Sequence, residues 1–149
     1  LGEAAGALAS CAMLFEEFLA REHESGRLKL RLRALSESRA LLHGHCHQKA
    51  FDAIAPVRTV LGLIPSLKVD LIESSGCGMA GAFGYEAEHH DVSMKMGEAA
   101  LLPAVRAAGP DDIVVADGTS CRHQIADGAN RRAEHVARVL ERALAEPGT

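Results

Sequence analysis

The sequence predicts an α/β fold. A three-layer arrangement places a parallel sheet, built in the order β-α-β-α-β-α, between helices and adds one N-terminal helix. Two observations predict it. Three short segments, the apolar Ala40-Leu41-Leu42-His43, the alternating Leu67-Lys68-Val69-Asp70-Leu71-Ile72 and the apolar Ile113-Val114-Val115-Ala116, have strand length and lead into glycine-containing turns. After each comes a stretch with apolar residues at helical spacing. Such alternation needs crossover connections, which are right-handed and set parallel strands side by side.

In chain order, residues 3–22 read as an amphipathic helix with Leu8, Cys11, Leu14, Phe15, Phe18 and Leu19 on one face. Cys11 is read there as a buried residue, because a free cysteine packs as a small hydrophobe. Residues 24–39 are polar and basic. In them Leu28, Leu30 and Leu32 alternate with basic residues, as in a short edge strand or a connector that lays its leucines on the core. After the first strand, residues 48–63 form a helical pattern with Phe51, Ile54, Val57, Val60 and Leu61 on its apolar side, and Pro56 starts a new turn or kinks it. After the second strand, residues 86–108 are helical through Met94, Leu101, Leu102 and Val105, with irregularities at Gly97 and Pro103. Met79, Met94 and Met96 read as packing residues, and His89 and His90 as a solvated helix start. After the third strand, 117–121 is a loop, and the last helix spans 131–145 with Ala133, Val136, Val139, Leu140 and Leu144 facing inward.

At 149 residues, the chain suits a single α/β domain over 1–149 with its own core. Aromatic residues make up only 3%, so that core must be Leu, Val, Ile and Ala. A net charge of −4 argues against a nucleic-acid footprint, and no apolar run reaches the length of a membrane span. The first twenty residues carry Glu3, Glu16 and Glu17 and no basic start, which argues against a signal peptide. The first residue is Leu, so the chain is expected to be a piece of a longer protein.

Three of the four cysteines, Cys46, Cys77 and Cys121, follow a strand within about four residues. In a parallel sheet all strand C-termini lie on one edge, where ligands bind. These cysteines are therefore expected to converge although they are far apart in sequence. Residues 76–84 hold Gly76, Gly78, Gly81 and Gly84, a loop that can turn backbone N–H groups toward a bulky anion. Helix N-termini beside Cys46 and Cys121 favour negative charge and lower a thiol pKa. A thiolate-bound metal or iron–sulfur cluster fits this set. His43, His45 and His47 alternate around Cys46 and would share one face of an extended segment, either as hydrogen-bonding groups or as ligands. His123, two residues past Cys121, caps or ligates. Met79 can line the same crevice. Neither a phosphate-binding loop nor a dinucleotide fingerprint is present.

Three motifs together resemble a known family: His43-Gly44-His45-Cys46-His47-Gln48-Lys49-Ala50; Gly76-Cys77-Gly78-Met79-Ala80-Gly81-Ala82-Phe83-Gly84-Tyr85-Glu86; and Asp117-Gly118-Thr119-Ser120-Cys121. They are similar to the cysteine-rich "CCG" domain of the B-type component of heterodisulfide reductase, of the iron–sulfur subunits of glycolate oxidase and glycerol-3-phosphate dehydrogenase, and of the C-terminus of FAD-linked oxidases. The resemblance covers residues 10–145 and is strongest to the last group. It implies an electron-transfer domain holding a [4Fe-4S] cluster, with FAD in another part of the parent protein and a 2-hydroxy acid such as lactate or glycolate as the substrate there. It also implies FAD-binding and ferredoxin-like domains as partners, no nucleic acid, no direct membrane insertion, and a cytoplasmic place that reaches the inner membrane through partners.

By this resemblance Cys46, Cys77 and Cys121 are metal ligands, with His45, His47 and His123 as candidates for a further one, and Gly76, Gly78 and Met79 line the cofactor. The chain departs from the pattern twice. Gly76 stands where relatives carry the first of two adjacent cysteines, and Gly118 stands where some carry the first cysteine of a Cys-x-x-C. A [4Fe–4S] cluster takes four thiolates, and this site offers three. Two other readings therefore stay open: a docking domain without metal, and a zinc site of three cysteines and one histidine.

Overall fold

The structure is a computed structural model and describes residues 2–145. Four parallel strands form its sheet: β1 (Arg39–His43), β2 (Lys68–Leu71), β3 (Ile113–Ala116) and β4 (Ala133–Glu134), in the spatial order β2-β1-β3-β4. Leu42 lies opposite Leu71 on one side and Val115 on the other, and His43 opposite Ala116. The chain leaves β1 toward β2, and β3 then pairs on the opposite side of β1. The loops after β1 and β3 therefore part at their C-terminal ends and open a crevice there.

Strand alternation feeds two cores. Ala40, Leu42, Ile113 and Val115 pack on one face against α2 (Phe15–Glu24), α4 (Ile54–Gly62) and α8 (Val136–Ala143), through Leu19, Val57, Val60, Leu61, Val136, Val139 and Leu140. Leu41, Val114 and Ala116 point the other way, against α6 (Leu101–Arg106) and α7 (Thr119–Ala129), through Leu101, Val105 and Ile125. The three-layer architecture expected from the sequence is thus present, with β1 and β3 buried on both faces as a parallel sheet requires. No helix among the described residues is long and apolar enough to cross a membrane.

Several expectations are corrected. The N-terminal helix is two helices, α1 (Gly2–Cys11) and α2. Leu14 ends the break between them, and its backbone N–H donates to Glu17 Oε2 at 2.6 Å. The break takes α1 off the core, so Leu8 is 74% exposed and Cys11 is exposed rather than buried; of the apolar stripe only Leu19 is buried. Segment 48–63 divides into α3 (Cys46–Ala50) and α4, because Phe51 and Asp52 leave helical geometry and Asp52 has φ 55°. Phe51 is consequently on the surface. Segment 86–108 divides into α5 (His90–Glu98) and α6 at Ala100, where φ is −158°. Pro103 falls in the first turn of α6, where a missing N–H costs nothing. Met96 is exposed, while Met79 is buried.

The largest departures lie after β3. Cys121 belongs to the first turn of α7 rather than to a loop, and the segment expected as one last helix contains β4 followed by α8. Asn130, left-handed at φ 48°, ends α7 and allows the chain to re-enter the sheet. Leu144 is outside α8 and exposed, and Ala143 takes the buried place. Residues 28–33 are a connector: Leu28 and Leu32 lie on the core, and Leu32 makes an isolated bridge to Leu144.

Gly78 and Gly81 both have positive φ, +93° and +71°, but only at Gly78 would a Cβ overlap the Ser93 carbonyl oxygen. Gly81→Ala should therefore cost about 1 kcal/mol, from backbone strain alone. Gly78→Ala should cost at least twice as much, because the loop carrying Cys77 must also shift. Urea denaturation followed by circular dichroism measures both, and equal losses would contradict this account of the loop.

Candidate metal centre

Three chain segments meet at the C-terminal edge of the sheet. His43 is the last residue of β1, Cys77 lies in the loop after β2, and Cys121 lies in the first turn of α7 after β3. The sulfur atoms of Cys77 and Cys121 are 3.2 Å apart. A ring nitrogen of His43 and the two sulfurs all lie within 4.8 Å of one another. All three side chains are buried, at 0%, 2% and 1% exposure respectively. His43 Nδ1 is 3.1 Å from Ser74 Oγ, whereas its Nε2 is buried with no hydrogen-bond partner.

The two thiols are electrostatically unequal. Cys121 donates its S–H to Cys77, which favours the Cys77 thiolate and pushes the Cys77 pKa below the usual thiol range against the opposing effect of burial; His43 lowers it further. Cys121 is raised, first by donating that hydrogen bond, then by burial and by the charges of Cys77 and Cys46. The pair therefore holds a first thiolate readily and a second only when a positive charge arrives to offset the repulsion.

Of the residues singled out from the sequence, Cys77 and Cys121 are brought together. Cys46 is the first residue of α3 and exposed; it lies at the mouth of the site, where a Cβ added to Gly76 would be 3.3 Å from its sulfur. A thiol at position 76 would therefore sit beside Cys46. At Gly118 an added Cβ would be 2.9 Å from the Cys121 sulfur but would overlap the His45 ring. His45 thus occupies the space that a side chain at 118 would need. His45 also caps α3, its Nδ1 accepting from His47 N at 3.2 Å, and burial lowers its pKa. His47 is exposed, with its ring 5.1 Å from that of His45. His123 pairs with the Tyr85 hydroxyl at 2.6 Å. Met79 packs beneath the loop, with Ser93 Oγ 3.7 Å from its sulfur.

The three histidines 43, 45 and 47 do not share a face, because β1 ends at His43 and α3 begins at Cys46. Of the candidate histidines, the ligand set implied by the resemblance keeps His45, His47 and His123 and leaves out His43. Its signal was its place as the last residue of a fully apolar strand run, a position that buries an imidazole.

Asp117 ties the edge together. Its Oδ2 accepts from Gln48 Nε2 at 2.7 Å and its Oδ1 from Val136 N at 3.0 Å, joining α3, β3 and α8. Lys49 Nζ donates to the Ser74 carbonyl and links α3 to the loop after β2. In the adjoining crevice, Glu16, Asp117 and His135 place one donor atom each within 4.8 Å of one another. Glu16 is buried at 3% exposure, and its pKa is raised, chiefly by burial and also by the Asp117 charge.

The donor set fits a thiophilic metal. Soft thiolates and a neutral imidazole suit zinc and iron–sulfur centres. Tetrahedral bonds of about 2.3 Å set two sulfurs about 3.8 Å apart, so the Cys77–Cys121 pair needs only a small opening to hold one ion. A larger cluster would need the Cys77 loop to move further and would draw on Cys46.

No protein-family model and no solved structure matches the chain. Over 107 residues it is 31% identical to the C component of the anaerobic glycerol-3-phosphate dehydrogenase of Escherichia coli strain K12, and equally to the same component in Escherichia coli O157:H7. The matched segment is 72% of this chain and spans 26% of the length of those curated relatives.

Glu16 supplies a test of the crevice. Its pKa is higher folded than unfolded, so its contribution is fully present below the unfolded value near 4.5 and is lost as pH rises through the folded value. Glu16→Gln should therefore raise the urea midpoint at pH 7 and bring little or no gain at pH 4. A stabilisation of the same size at both would contradict the assigned burial.

Proposed function

We propose that this chain is the cysteine-rich, metal-holding electron-transfer domain of a flavin-linked oxidoreductase. The reading is supported chiefly by one observation: two buried cysteine sulfurs, 3.2 Å apart, face a buried imidazole nitrogen without a partner at the ligand edge of a parallel sheet. The three motifs and the similarity to a component of anaerobic glycerol-3-phosphate dehydrogenase give it direction.

In this reading the centre is an iron–sulfur cluster of the [4Fe–4S] type, held by Cys46, Cys77 and Cys121. When bound, such a centre accepts and releases one electron at a time. The chain's own residues do the rest. Cys77 and Cys121 offer thiolates in a dry pocket, which limits solvent access and so sets the potential. The glycines around Cys77 allow backbone N–H groups to approach sulfur. Cys46, at the exposed mouth, is where electrons would enter or leave.

FAD and a ferredoxin-like segment would belong to other parts of the parent protein or complex, so this chain itself performs no substrate chemistry. The parent's donor would be a small hydroxylated metabolite, a 2-hydroxy acid such as lactate or glycolate by motif resemblance. We place the domain over 1–149 at the C-terminal side of that parent, in the cytoplasm or held at the inner membrane by partners.

A second reading has its own support. The closeness of His43, Cys77 and Cys121 suits one zinc ion better than a cluster in the geometry as it stands. Anaerobic reconstitution with iron and sulfide separates the two. The cluster reading expects a broad absorption near about 400 nm, lost in Cys77→Ser and kept in Cys11→Ser. Stoichiometric zinc with no such band would favour the single ion, and a chain that takes up neither metal would overturn both.

A further inference from the structure

We propose that His43 Nε2 is a direct metal ligand of this centre, so that the buried part of the donor set is one imidazole with the Cys77 and Cys121 thiolates, and Cys46 at the mouth joins them only where a cluster is held. The proposal rests on the metal-centre reading and adds to it a ligand outside the three cysteine motif positions.

The first argument is the cost of the alternative. His43 is fully buried, and its Nε2 has no partner among the described residues. A buried polar atom left unmade costs about 1–3 kcal/mol, and an apolar residue at the end of β1 would avoid that cost. The second argument is aim. Nδ1 is engaged by Ser74 Oγ at 3.1 Å, so the nitrogen that remains for the two sulfurs, all within a 4.8 Å group, is Nε2. Ser74 is itself gripped by Lys49 through its carbonyl and, at 3.4 Å, its hydroxyl. Fixing one ring nitrogen through a braced partner is how proteins orient a metal-binding histidine.

The third argument is rigidity. His43 sits on β1, paired on both sides, and lies opposite Ala116 in β3. A donor on a paired strand keeps its position, whereas Cys77 and its loop can adjust to an ion. The three imidazoles named as candidate ligands from the sequence are placed less well: His45 fills the space beside Gly118 and caps α3, His123 bonds Tyr85, and His47 is exposed.

Cobalt(II) is the probe, because sulfur-to-cobalt absorption reports thiolate binding without any assembled cluster. The reduced chain is titrated as wild type, His43→Ala, His43→Cys and His45→Ala, with circular dichroism confirming that each is folded. X-ray absorption of the cobalt complexes then reports imidazole scattering. The proposal expects the thiolate band in wild type, at least about tenfold weaker binding in His43→Ala, and retention in His43→Cys and His45→Ala. It also expects imidazole scattering in wild type that is lost in His43→Cys. If His43→Cys fully retains the scattering, or wild type shows the thiolate band without it, His43 is not a ligand and the thiolate centre stands without it. If wild type shows no thiolate band, both His43 and the thiolate centre fall.

Discussion

Parallel pairing of β1 with both β2 and β3 is the constraint on which the rest depends. Because all three strands run the same way, the chain must leave each at the same edge and return outside the sheet. Residues far apart along the chain are thereby delivered to one place: His43 from the strand itself, Cys77 from the loop beyond β2, and Cys121, 44 positions later, from the helix beyond β3. The two hydrophobic cores on either face hold this pairing rigid. Asp117 and Lys49, through Gln48, Val136 N and Ser74, lock the departing segments to one another.

Much of this was legible in the residues, for physical reasons that differ from element to element. β3 could be placed to the residue because Ile113-Val114-Val115-Ala116 is buried on both faces and must be continuously apolar. Cys77 and Cys121 could be placed at one edge because strand direction alone decides that. α7 was not legible: its buried positions include Cys121 and Gln124 beside Ile125, so its inward face carries little hydrophobic signal. β4, at two residues, is too short to show a period. The apolar face of residues 8–19 misled, since helical spacing announces a face but not a partner for it, and Leu8 and Phe18 remain exposed.

Two glycines, Gly76 and Gly118, shape the surroundings of the site. At position 76 an added Cβ would lie 3.3 Å from the Cys46 sulfur, so a side chain there fits only if that exposed thiol gives way slightly. At position 118 the room has been taken by His45, whose ring occupies it while its Nδ1 caps α3. Neither position carries a thiol. In the proposed donor set the further ligand is a buried imidazole that the cysteine spacing does not reveal, because His43 belongs to the strand and not to the loop.

The central claim is that Cys77 and Cys121 bind metal at the sheet edge. Anomalous diffraction from crystals of the zinc-loaded chain, recorded on both sides of the zinc absorption edge, tests it most directly. The account predicts one strong peak within about 2.3 Å of both the Cys77 and Cys121 sulfurs. A peak confined to the exposed Cys46 and His47, with the Cys77 and Cys121 thiols unbound, would contradict it.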